Sequence, residues 1–179
     1  MQLKETRDTL NKFAKYVIQQ SRSNLTKGEK NVSKKLYNSL DSDLKVSKNS
    51  FELSFLMENY GVFQDKGVKG KSSSSKAPNS PFKFGSGRGK EGGLTQGINK
   101  WVRRKRFQFR DRNTGRFMSY DSTAFLITRS IYQKGIKPSL FFTKPFEKAF
   151  NNLPKELIQS FALDMEALLE TTIKDNLKK

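Results

Sequence analysis

Neither cysteine nor histidine occurs among the 179 residues. Without cysteine there are no disulfides and no thiolate metal sites, which suits a cytosolic origin. The absence of histidine excludes more, because it removes the commonest general base, metal ligand and triad partner. Acidic residues are scarce too, at 17 against 35 Lys and Arg. No apolar run approaches the ~20 residues that a membrane span requires. The opening Met1-Gln2-Leu3-Lys4-Glu5 lacks the continuous apolar stretch of a signal peptide. Most enzyme classes, membrane insertion and a disulfide scaffold are therefore not expected.

What is present is phenylalanine and positive charge. Hydrophobic residues make up only 34%, yet 15 are Phe, which predicts a small aromatic core completed by neighbouring subunits. The length suits one domain spanning residues 1–179. The net charge of +18 is uneven, with residues 66–116 holding 15 Lys and Arg against two acids, Glu91 and Asp111. A field of one sign attracts an anionic partner, either nucleic acid or an acidic protein surface.

Leu3, Leu10, Phe13, Ala14, Val17 and Ile18 recur at helical spacing and predict an amphipathic helix over 3–27, closing near Gly28. Val32, Leu36 and Leu40 suggest a short helix over 31–40. Leu44 and Val46, then Phe51, Leu53 and Phe55, alternate around Lys48-Asn49-Ser50 as an antiparallel hairpin with one buried face. A helical turn follows over 57–64. Residues 66–93 are rich in Gly, Ser, Pro and Lys, a composition that opposes self-contained structure. We expect neighbouring subunits to order this segment as an assembly arm carrying Lys66, Lys69, Lys71, Lys76, Lys83, Arg88 and Lys90.

Leu94, Ile98, Trp101 and Val102 mark a further helix, with Trp101 as its anchor. Phe107 and Phe109, a turn at Asn113-Thr114-Gly115, then Phe117 and Tyr120, predict a second, strongly basic hairpin. Asp121 or Ser122 should cap the helix that Gly135 ends. Pro145 opens a short helix, and Pro154 opens the last one. The apolar stripe of that last helix comprises Leu157, Ile158, Phe161, Ala162, Met165, Leu168, Leu169 and Ile173. The expected fold is α+β, a small antiparallel sheet packed against long N-terminal and C-terminal helices, with an extended basic loop and hairpin.

Two short segments carry a resemblance. Tyr60-Gly61-Val62-Phe63-Gln64-Asp65-Lys66-Gly67-Val68-Lys69-Gly70 breaks from an apolar turn into a Gly-rich exit. In Gly135-Ile136-Lys137-Pro138-Ser139-Leu140-Phe141-Phe142 a helix stops at Gly, and a Pro delivers an aromatic pair. In this order, behind a long N-terminal helix, they resemble the neck and tail-completion proteins of tailed bacteriophages, over roughly residues 3–175. The resemblance implies a virion protein, assembled in the host cytoplasm, that forms a ring joining head and tail. It implies a homo-oligomeric ring, hexamer or dodecamer, between connector and tail proteins, with non-specific contact to genomic DNA, no membrane, no cofactor and no enzymatic activity. Tyr60, Phe63, Trp101, Pro138, Phe141 and Phe142 are the expected packing anchors.

Three other readings compete. Gly85-Ser86-Gly87-Arg88-Gly89-Lys90 invites a phosphate loop, but its glycine spacing is wrong and Glu91 stands where Ser or Thr must bind magnesium. Asp43-Leu44-Lys45 with Glu29 and Glu52 faintly suggests a metal-dependent nuclease, which needs convergent carboxylates. Alternating charges on a solvated hairpin face are the ordinary explanation. The alternative function is a basic nucleic-acid-binding protein using residues 66–116. Arg103, Arg104, Lys105, Arg106, Arg110, Arg112 and Arg116 interleave there with aromatics, as single-strand grooves do. Period-two alternation would turn those aromatics into the core and leave the cations for an anionic partner.

Overall fold

The computed structural model describes residues 3–30, 32–47, 50–85 and 93–177. Along the chain run α1 (Lys4–Lys27), α2 (Lys35–Ser39), β1 (Asp41–Ser47), β2 (Ser50–Leu56), α3 (Tyr60–Lys66) and β3 (Val68–Lys69). Then follow α4 (Gly93–Lys105), α5 (Tyr120–Lys134), β4 (Gly135–Ile136), α6 (Thr143–Phe150) and α7 (Leu153–Leu177). The fold is α+β, as expected. The chain, read above as one domain, divides into two compact units. One comprises residues 1–27, 35–58 and 141–179, and the other residues 28–34 and 59–140.

In the first unit the stripe of α1 is buried as its spacing predicts, through Leu10, Phe13, Ala14, Val17 and Ile18. Strands β1 and β2 pair antiparallel from Asp41↔Leu56 to Ser47↔Ser50. Leu44, Phe51, Leu53 and Phe55 face a core of Leu10, Phe13, Val17 and Leu153, while Phe142 and Phe146 pack on it from α6 and its approach. Phe55 meets Phe13, Phe142 and Phe146 edge to face at 5.3–6.1 Å, an arrangement that adds to simple area burial. A second cluster gathers Ile18, Leu25, Leu36, Leu40 and Phe141. The short α2 is clamped by Arg22, whose guanidinium donates to the Tyr37 and Leu40 carbonyls at 3.2 and 2.8 Å. That satisfies carbonyls which a helix end leaves open. Lys34 adopts positive φ, and this helix begins at Lys35, later than expected.

The stripe of α7 departs from expectation. Ile158 is 71% exposed, and Phe161, Leu163, Leu168 and Leu169 are exposed as well. What α7 turns toward α1 is instead Leu153, half-buried Leu157, Ser160 and Asp164, spaced for one helix face. Ser160 donates to the Glu156 carbonyl at 2.8 Å, so the Thr9 hydroxyl donates to Ser160 across 2.6 Å. The Asp164 carboxylate accepts from the Glu5 and Thr6 backbone N–H groups at 2.9 Å each, and from the Thr6 hydroxyl at 2.8 Å. Hydrogen bonds, more than the apolar stripe, fix how α7 lies on α1.

In the second unit β3 pairs antiparallel with β4 through Val68↔Ile136 and Lys69↔Gly135. Ser139 N–H donates to the Gln64 carbonyl at 3.2 Å, and Leu140 N–H to that of Asp65 at 3.0 Å. The two sequence segments that carry the resemblance therefore join by backbone pairing. Glycine is required at the junction. Gly135 has φ +83°, and a Cβ there would meet the Val68 carbonyl oxygen; one at Gly70 would meet the Gln133 carbonyl.

The expectation that neighbouring subunits order residues 66–93 is corrected for residues 67–85, which bonds within the chain order. Lys69 and Phe82 are linked by a 2.8 Å backbone bond, Phe84 returns one to Lys69, and Lys71 and Ser72 donate to the end of α5. Ala77 and Ser80 are buried, the latter donating to the Gly67 carbonyl at 2.8 Å. Phe63 packs on Phe82 with ring centroids 4.6 Å apart. Main-chain pairing supplies what the polar composition could not.

Candidate functional site

The predicted basic belt belongs to the second unit, and its scaffold is the packing of α4 on α5. Val102, Thr123 and Ala124 are buried there. Arg103, Arg104 and Lys105 form the last turn of α4. Two backbone bonds close that helix, Arg106 N–H to the Arg103 carbonyl and Phe107 N–H to the Val102 carbonyl. This is the Schellman arrangement, which places Arg106 in the left-handed position usually taken by glycine, at φ 51°. An arginine held there carries conformational strain that a glycine would not.

Beyond it the expected second hairpin closes by one bridge, Arg110↔Phe117, and not by strands. The turn is built around Asp111, which accepts from Asn113 N–H, Thr114 N–H and the Thr114 hydroxyl at 2.8–3.0 Å. The Thr114 N–H, then the Thr114 hydroxyl and the Asn113 N–H, hold its carboxyl below the usual carboxylate range. The acid is thus committed to its own loop. Asp121 is likewise engaged, lowered first by Asn99 and then by Arg103, whose Nη2 lies 2.9 Å away. Among the described residues no carboxylate pairs with Arg104, Lys105, Arg106, Arg110, Arg112 or Arg116. Ser119 caps α5 by accepting from Ser122 N–H, two or three residues before the expected cap at Asp121 or Ser122.

The aromatics do not alternate into the core. Trp101, Phe107, Phe109 and Phe117 are 37%, 41%, 37% and 62% exposed. A single bridge makes no pleated strand, so nothing turns alternate side chains inward. Trp101 is therefore a half-open ring and no buried anchor. Its centroid lies 6.2 Å from that of Phe107, which lies 5.2 Å from that of Phe109. The Arg110 guanidinium sits 4.6 Å from the Phe117 centroid, and that of Arg103 sits 5.5 Å from Tyr120.

Of the remaining anchors, Phe141 is 1% exposed, Phe142 and Pro138 are half-buried, and Tyr60 and Phe63 are exposed, against expectation. Lys66, Lys71, Lys76 and Lys83 are exposed, with Lys71 over the Tyr132 ring at 5.9 Å, while Lys69 is half-buried in β3. Arg88 and Lys90, and most of the glycine-rich segment 85–90, lie outside the described residues. Lys45 stands opposite Glu52 in the hairpin register, with both side chains exposed. No group of three acids able to hold a metal occurs among the described residues. No helix among them is long and apolar enough to cross a membrane.

Sequence reasoning missed Asp164, Ser160 and Arg22, each of which acts through backbone or hydroxyl partners far away in the chain. No family model, curated protein or solved structure matches the chain.

Proposed function

We propose that this chain is a non-catalytic structural subunit of a tailed-phage virion, assembling as a ring at the neck or the upper end of the tail. Its partners are further copies of itself and the adjoining connector and tail proteins, met during assembly in the host cytoplasm. The observation that carries the reading is the uncovered apolar face of α7, where Ile158, Phe161, Leu168 and Leu169 lie open. Contiguous exposed apolar surface marks an interaction site, and a subunit completed by neighbours leaves such surface when alone. The pairing of the two resemblance-bearing segments into one glycine-dependent junction adds support, because both segments then serve one structural element.

Native mass spectrometry and negative-stain imaging of the purified chain test the proposal. Rings of six or twelve copies are expected for the wild type. The double variant Ile158→Asp/Leu169→Asp is expected to stay monomeric with little change in melting, since both side chains are exposed. A wild-type chain that remains monomeric alone and with connector proteins, or variants that assemble normally, would overturn the reading.

A further inference from the structure

We propose that the open aromatic and arginine ledge at the end of α4 binds single-stranded nucleic acid. Bases stack on Trp101, Phe107 and Phe109, and phosphates pair with the neighbouring cations. This goes beyond the ring reading and stands or falls separately, because it concerns the isolated chain.

Three observations converge. The three rings form one contiguous patch, linked by centroid spacings of 6.2 and 5.2 Å, and all remain more than a third exposed. Exposed aromatics beside cations are what sequence-tolerant single-strand sites use, because every base offers a π face and every nucleotide a phosphate. Of the cations in this segment Arg103 pairs with Asp121, while Arg104, Lys105, Arg106, Arg110, Arg112 and Arg116 pair with no carboxylate among the described residues.

The patch is also fixed in place. Phe107 N–H donates to the Val102 carbonyl at 2.9 Å, Phe109 N–H to the Thr123 hydroxyl at 3.3 Å, and Met118 N–H to the Phe109 carbonyl at 2.8 Å. Both Val102 and Thr123 are fully buried. With its main chain held this way, the ledge needs little loop ordering when a base arrives.

Alternative occupants fit less well. A second copy of the chain brings another net charge of +18 and opposes belt-to-belt contact. A duplex presents phosphates but keeps its bases stacked inside, leaving the rings unused. An acidic protein surface would satisfy the cations and give the exposed rings no specific role.

Trp101 is the sole tryptophan, so its intrinsic fluorescence reports directly on the ledge. The wild-type protein is titrated with a single-stranded thymidine oligonucleotide, a duplex of equal length, polyglutamate and anionic phospholipid vesicles. We expect the single strand to quench Trp101 and to bind more tightly than the duplex at equal salt. The slope of log affinity against log salt should reach at most about −4, from roughly −0.7 for each phosphate met by the six free cations. Phe107→Leu/Phe109→Leu, which keeps apolar bulk and removes the rings, should weaken single-strand binding about tenfold with the salt slope unchanged. Arg104→Ala/Arg110→Ala should make the slope shallower. Absence of quenching, wild-type affinity in the double Leu variant, or equal binding to duplex, polyglutamate or vesicles would each overturn the proposal.

Discussion

Asp164 should be the most consequential carboxylate in the first unit, and replacing it tests how the two long helices are joined. Its side chain on α7 receives the Glu5 and Thr6 N–H groups and the Thr6 hydroxyl, and so caps α1 from 158 residues away. Losing an ordinary cap costs about 1 kcal/mol. Removing a negative charge from a partly buried helix N-terminus costs up to ~2 kcal/mol more. Asp164→Ala should therefore cost about 3 kcal/mol, and Asp164→Asn, which keeps one acceptor oxygen, about half that. For a chain of this length about 3 kcal/mol lowers the melting temperature by roughly 6–12 °C. The pH dependence gives an independent check. Burial opposes ionisation of Asp164 and is the largest single influence. The Thr6 N–H, Glu5 N–H, Thr6 hydroxyl and Lys4 N–H together outweigh it, leaving the folded pKa below the ordinary 3.8. A lowered folded pKa contributes stability that is fully present above the unfolded value and is lost as pH falls through the folded one. Thermal melts should show a full gap between wild type and Asp164→Asn at neutral pH, closing progressively below pH 3.8. A change within about 0.5 kcal/mol for Asp164→Ala, the range of ordinary surface substitutions, or a gap constant through acid, would refute the cap.

Phe141→Ala removes a ring packed among Ile18, Leu25, Leu36 and Leu40, and should cost about 3–5 kcal/mol; near-wild-type denaturant unfolding would show that the cluster does not depend on it. Gly135→Ala places a Cβ against the Val68 carbonyl at a positive φ, and should destabilise the second unit by more than about 1 kcal/mol. Limited proteolysis should then cut residues 67–85 faster than in the wild type, whereas unchanged protection would mean that β3 and β4 do not hold that segment.

How legible the molecule was depends on what fixed each element. The stripe of α1 and most of the alternation of the first hairpin were readable because burial decides them: Leu10, Phe13 and Val17 on one side, Leu44, Phe51 and Leu53 on the other, with Val46 alone left exposed. The segment 67–85 was misread because composition reports side chains, while its order comes from backbone bonds to Phe82, Tyr132 and Gln133, which lie 13 or more residues from their partners Lys69, Lys71 and Ser72. The second hairpin failed for a related reason. Phe107 and Phe109 alternate, but alternation buries a side chain only when a paired strand continues the pleat, and here one bridge, Arg110↔Phe117, is all that forms.

The two long helices show most sharply where pattern stops being informative. Both carry apolar stripes in sequence, that of α7 the less sharply one-sided, yet α1 buries its stripe and α7 leaves much of its own open. Periodicity states which residues share a face, not which face finds a partner. On α7 that choice is made by Ser160 and Asp164, polar residues a sequence reading assigns to solvent. A buried carboxylate satisfied by three donors holds a helix in one orientation more strictly than leucines, which tolerate rotation. By turning its polar edge inward, α7 keeps Ile158, Phe161 and Leu169 outside. An apolar face kept open in this way, at the cost of burying a charge, is what the proposed ring would require of its subunit.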